Sequence, residues 1–202
     1  MSDSFWVWTH LAFFLLLGRI WTGRALHFDL PPGGVASGLL IIGALSMLEV
    51  QHIDLSGWLL AHAGTLSVAT LLMLALGVIP GLGVSAPVSA LERGIAHLVW
   101  LGLGIMLFPS ALGYGSYDFY VLGYGAGMAW IALGLSILAW ALKQRVLAIW
   151  LALSVLTWRL QLAESPNLWD YLLDPWIMIA SAFWLIRQLF PKRKTRATEQ
   201  QA

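Results

Sequence analysis

Gly94-Ile-Ala-His-Leu-Val-Trp-Leu-Gly-Leu-Gly-Ile-Met-Leu-Phe-Pro-Ser-Ala-Leu112 decides the fold: nineteen residues without one acid, lysine or arginine. A helix needs about 20 apolar residues to cross the roughly 30 Å of hydrocarbon in a bilayer, and this run supplies them. Working outward, Phe5–Trp21, Val35–Val50 and Trp58–Ile79 lie before it, and Phe119–Leu142, Val146–Leu162 and Asp174–Phe190 after it. Breakers fall between them. Pro31-Pro32-Gly33-Gly34 precedes the second run, and Pro80-Gly81-Leu82-Gly83 follows the third. Asp174-Pro175 has the form of a helix start, an acid at the cap and proline at the first helical position. The expectation is an all-α polytopic transmembrane bundle of about seven spans, one domain over residues 1–190, with a disordered basic and polar tail at 191–202.

Composition supports a bilayer as the solvent. Of 202 residues, 59% are hydrophobic and 10% charged, against about 25% charged in a typical soluble domain. The net charge of +1 comes with no basic stripe interleaved with aromatics, so nucleic acid is not an expected partner. The chain has no cysteine, which excludes disulfides, thiolate metal sites and a cysteine nucleophile. Asp3 stands where a secretory signal would carry a basic residue, so the first run is expected to be a retained helix. With no organelle-targeting signal, a bacterial inner membrane is the expected location.

Lysine and arginine set the orientation. With the C-terminus in the cytoplasm, that side receives Arg19, Arg24, Arg93, Lys143, Arg145, Arg187, Lys192, Arg193, Lys194 and Arg196. Only Arg159 of the 11 basic residues falls outside. This is the positive-inside bias, and it puts the N-terminus outside. Acids collect in the outer loops: Glu49, Asp54, Asp118, Glu164, Asp170 and Asp174. Trp6, Trp8, Trp21, Trp58, Trp140, Trp169 and Trp176 fall near span ends, where indoles favour the headgroup level. Trp100, Trp130, Trp150 and Trp184 fall deeper, where packing between helices accounts for them.

An ionisable side chain at membrane depth costs about 3 kcal/mol or more unless it is paired, hydrated or neutral, which makes each a candidate for function. Five share one layer beneath the outer face. At 1.5 Å per residue, His10 lies roughly 7 Å below the start of its span and His62 roughly 6 Å below the start of its own. Glu49 closes the second span, Arg159 ends the sixth and Asp174 opens the seventh, with His52 and Asp54 in the loop above. Imidazoles and carboxylates suit a divalent metal, with His10, His52 and His62 as ligands. The same groups suit acid–base work by His62, Glu49, His52 and Asp54. No His-Glu-x-x-His and no histidine pair one turn apart is present. Seven-span metal-dependent lipid hydrolases such as the alkaline ceramidases share the orientation, but their late histidine pair is missing from the seventh span here. No motif asks for a cofactor, and a divalent metal is left open. Each residue also has an ordinary account: a histidine hydrogen-bonded to a neighbouring helix, a snorkelling arginine, an aspartate that caps.

The most distinctive stretch is Leu112-Gly-Tyr-Gly-Ser-Tyr-Asp-Phe-Tyr-Val-Leu-Gly-Tyr-Gly125. Tyr114, Tyr117, Tyr120 and Tyr124 are four of the 5 tyrosines, with Asp118 among them. Tyrosine offers a flat apolar ring with a polar tip, which suits sugars or lipid headgroups at a wet interface. The ordinary account is an aromatic belt, with Gly123 and Gly127 allowing close helix packing. On the inner side, Arg93 and His97 are one turn apart, a spacing that suits a phosphate or headgroup, or simply a solvated helix start. Three functions follow. The first is a small transporter or accessory subunit that handles a lipid or lipid-linked saccharide at the outer leaflet, using Tyr114, Tyr117, Asp118, Tyr120, Tyr124, Arg159 and Asp174. The second is a membrane-embedded hydrolase or transferase with an outward-facing His/Asp/Glu site. The third is a structural assembly factor bound to a membrane-protein partner.

Overall fold

The computed structural model describes residues 3–50, 53–83, 88–114, 116–163 and 165–190. His52, Glu164 and the tail at 191–202 therefore lie outside the described residues, as does the expectation of disorder for that tail. The described chain is mostly helical. In order it runs α1 (Asp3–His27), α2 (Pro32–Ser46), a hairpin of β1 (Glu49–Val50) and β2 (Ile53–Asp54), α3 (Leu55–Ala63), α4 (Val68–Val78) and α5 (Ala90–Ala111). It continues with α6 (Ala126–Ala141), α7 (Arg145–Arg159), the short α8 (Trp169–Leu172) and α9 (Pro175–Leu189).

Two helical segments, Phe5–His27 and Ala90–Ala111, are long and apolar enough to cross a membrane; Pro32–Ser46, Val68–Leu82 and Ala126–Ala141 are shorter apolar helices. Three of the predicted runs change shape. The third, Trp58–Ile79, is broken. α3 stops at Ala63, Gly64 takes a left-handed φ of 73°, and α4 restarts at Val68 behind a Ser67 cap. The second ends at Ser46, and its last residues enter the hairpin, in which Glu49 stands opposite Asp54. The fifth begins at Ala126, because Phe119–Tyr124 forms a separate 3-10 turn capped by Asp118.

Cross-links between helices fix their directions. Trp21 donates to the Val35 carbonyl at 3.1 Å, so α1 and α2 are antiparallel. Trp8, near the start of α1, donates to the Leu66 carbonyl just before α4 at 3.1 Å, and Asp174 joins the starts of α4 and α9. His97 meets Ser181 at 3.0 Å while Gly104 lies against Met178, so α5 and α9 are antiparallel. The Glu92 carboxylate accepts from the Arg145 amide at 3.0 Å, bringing the starts of α5 and α7 together. The end where α1 begins, called upper below, thus holds the hairpin, the start of α9 and the Phe119–Tyr124 turn. The lower end holds Arg24, Arg93, Lys143, Arg145 and Arg187.

The interior of the bundle is mainly apolar, yet large apolar side chains also cover its outer helix faces. Ser136, Ser154, Ser181 and Thr22 are buried, whereas Leu98 and Ile105 on α5, Ile131 and Ile137 on α6, and Ile179, Phe183 and Ile186 on α9 are exposed. Exposed apolar side chains in such number are of the kind that mark a surface for a protein or membrane partner. At the centre Trp100 and Trp150 pack edge to face at 6.1 Å, together with Leu168, Tyr171 and Leu172. Trp130, expected to pack between helices, instead stands on the outer surface at 73% exposure.

Candidate functional site

The polar layer at the upper end separates into three networks. The first surrounds His10. Asp54 caps α3, accepting from the Gly57 amide at 2.5 Å and the Ser56 hydroxyl at 2.6 Å. Ser56 Oγ also lies 3.1 Å from His10 Nδ1, which is 2.9 Å from the Trp6 carbonyl. A carbonyl only accepts, so Nδ1 carries the hydrogen and Nε2 is the bare nitrogen. That Nε2 is buried and has no partner. The order of groups resembles a nucleophile triad, but the proton flow differs: Ser56 gives its hydrogen to Asp54, and His10 already holds one on the nitrogen that faces Ser56. Ser56 is also 1% exposed, which denies it a substrate. Glu49 stands opposite Asp54 in the hairpin and meets this network through that backbone pairing.

The second network centres on Asp174. Its Oδ2 accepts from the Ser67 amide at 2.6 Å, and its Oδ1 from the Ile177 amide at 2.8 Å and the Thr70 hydroxyl at 2.9 Å. One carboxylate thereby faces the positive ends of two helices, where an anion is most stabilised. With 5% exposure and three donors, Asp174 is a joint between α4 and α9.

In the third, segment 165–173 folds back into the bundle. Leu168, Trp169, Tyr171, Leu172 and Leu173 are all buried, so Trp169 is not an interfacial anchor. The Phe119–Tyr124 turn docks on this segment. Tyr120 donates its hydroxyl to the Asp170 carboxylate at 2.9 Å, Asn167 donates to the Tyr120 carbonyl at 2.9 Å, and Trp169 donates to the Phe119 carbonyl at 2.9 Å. Burial, followed by the Asp170 carboxylate, pushes the Tyr120 phenol well above the ordinary tyrosine range, so it remains a neutral donor. Gly123 serves this docking rather than helix packing: any Cβ there would overlap Asn167, while nothing approaches Gly127 within 4 Å.

Of the tyrosine stretch, Tyr114, Tyr117 and Tyr124 stay exposed at the upper end with Asp118 beside them; Tyr120 is committed to Asp170. Arg159 is exposed at the end of α7. His62 joins none of the three networks. Its Nδ1 lies 2.8 Å from the Trp58 carbonyl, and its ring stacks on Trp58. Among the described residues, no group of three His, Asp or Glu side chains converges to hold a metal ion. Ser56, Asn167, Ser67 and Thr70 are partners that sequence reasoning missed. As neutral residues on or beside apolar runs they carry no signal until a distant acid is known to reach them.

His62 does line an apolar opening in the bundle. A lateral groove of about 490 Å³ runs between α1, α3, α4 and α9, walled by Leu16, Leu66, Met73, Leu74, Trp176 and Ala180 among others. Its walls are almost wholly apolar, and Thr70, one of its few polar groups, has its hydroxyl spent on Asp174. Comparison with protein families, curated proteins and solved structures finds no match for the chain.

Proposed function

We propose that the chain is a seven-span membrane protein, N-terminus outside and C-terminus in the cytoplasm. On this reading it handles a lipid or lipid-linked amphiphile at the outer leaflet, as a small transporter or accessory subunit. The upper end is the outer one. The chain meets Thr9 and His10 at Ser56 and returns to Trp8 at Leu66, so α3 stays at the upper end and α4 makes the third crossing, which gives seven helices of alternating direction. The basic residues gathered at the lower end support the same orientation.

The lateral groove carries the functional part of the proposal. Its volume falls within the range of about 300–1,000 Å³ typical of small-molecule sites. For an acyl chain already in the bilayer, van der Waals fit to such a wall, rather than transfer from water, would drive its binding. Opening sideways at membrane depth, it suits an acyl chain, with His62, Trp58 and Trp176 at headgroup level. Tyr114, Tyr117 and Tyr124 form an aromatic surface at the same end for a polar headgroup or sugar. The hydrolase reading is weaker, because the histidine–serine–aspartate cluster seen among the described residues keeps its serine buried.

A phospholipid with a photoactivatable acyl chain, incubated with purified protein in nanodiscs, tests this. Adducts should concentrate on α4 and α9 beside Met73, Leu74 and Ala180, and Ala180→Phe, which fills the groove, should remove most of them. Adducts spread evenly over the outer helix faces and unchanged by Ala180→Phe would contradict the groove as the site.

A further inference from the structure

The lower end holds a second cavity, chemically opposite to the groove. It measures about 260 Å³ and lies between α1, α4, α5 and α9 where α7 begins, lined by Arg19, Arg93, His97, Trp100, Trp184 and Gly77 among others. We propose that this cavity binds a phosphate-bearing anion, and that its natural source is the headgroup of an anionic phospholipid in the cytoplasmic leaflet.

Three observations carry the assignment. First, two guanidinium groups from different helices line one small space, and no acidic residue is among its lining. Glu92, the carboxylate nearest in sequence to Arg93, is used elsewhere: it accepts from the Ser89 amide at 3.0 Å and the Arg145 amide at 3.0 Å. Arginine forks match phosphate oxygens in geometry and charge; both residues are exposed, so an anion entering the cavity from the lower end would meet two forks at once. Second, Arg19 is given room to reach it. Its side chain lies across α4 at Gly77, where any Cβ would overlap its Nε and Cδ. Third, the aromatic wall is held rigid. His97 is tied to Ser181 at 3.0 Å and stacked on Trp184 with ring centroids 4.6 Å apart. Position favours a lipid source: basic pockets between helices at the cytoplasmic level are where anionic headgroups bind.

This inference stands apart from the groove, since Ala180→Phe leaves the arginine cavity intact. The test measures lipid retention by native mass spectrometry. Full-length protein is released from nanodiscs of phosphatidylcholine alone, or of phosphatidylcholine with phosphatidylglycerol, with inorganic phosphate added to the first set as a separate arm. Phosphatidylglycerol should be retained selectively. Arg19→Gln combined with Arg93→Gln should weaken retention about tenfold or more, as loss of charge-assisted contacts requires. Arg24→Gln, at the same end but outside the cavity, should leave retention unchanged and so report that general surface charge is not responsible. Inorganic phosphate bound only when both arginines are present, with no lipid preference, would support the anion chemistry while overturning the lipid source. Retention unaffected by the double change, or reduced equally by Arg24→Gln, would overturn the site.

Discussion

Asp174 and Asp118 both cap helical turns, yet their surroundings make them unequal. Asp118 is exposed and accepts from one amide, that of Tyr120 at 2.9 Å. Asp174 is buried and serves the backbones of two helices and a hydroxyl. Asp174→Asn replaces one acceptor oxygen with a donor facing the Ser67 or Ile177 amide, leaving a buried N–H unpaired. The expected loss is about 2–3 kcal/mol of stability, against about 1 kcal/mol or less for Asp118→Asn; thermal unfolding in detergent compares them. Equal losses would mean that Asp174 is no more than a local cap. At this scale the sequence is half legible. The Asp-Pro pair announces that Asp174 starts a helix, but nothing near it indicates that its second oxygen is claimed by Ser67, 107 residues away. His10 shows the same limit, since its depth follows from its place in an apolar run but its tie to Ser56 depends on how the hairpin returns the chain.

Among the elements, hydropathy identifies apolar runs well and their interruptions poorly. Gly64-Thr65-Leu66-Ser67 is small and mostly neutral, so it does not lower the apolar average of its run. The break is visible only through the left-handed Gly64 and the distant groups that satisfy it: Asp174 on the Ser67 amide and Trp8 on the Leu66 carbonyl. The Phe119–Tyr124 turn hides for a related reason. Its aromatics are as apolar as a span, and its hydrogen-bond partners lie about 50 residues further on. Gly123→Ala tests the docking directly. A methyl group there overlaps Asn167, so the turn should lift from segment 165–173, and hydrogen exchange of residues 119–124 should accelerate while α7 stays protected. Unchanged exchange would mean that the docking tolerates a shift in Asn167.

For the whole molecule, the central claim is one of sidedness: the upper end, with its groove and exposed tyrosines, faces outward, and the arginine cavity faces the cytoplasm. The proposed direction rests on the lysine and arginine distribution, which the fold gathers largely at the lower end. The absence of cysteine makes the claim directly measurable. Tyr114→Cys and Lys143→Cys place single thiols on exposed residues at opposite ends, and a membrane-impermeant maleimide is applied from outside to intact cells or spheroplasts. Position 114 should label at once and position 143 only after permeabilisation. Both positions labelling from the same side, or the reverse pattern, would contradict the orientation and the assignment of each site to its leaflet.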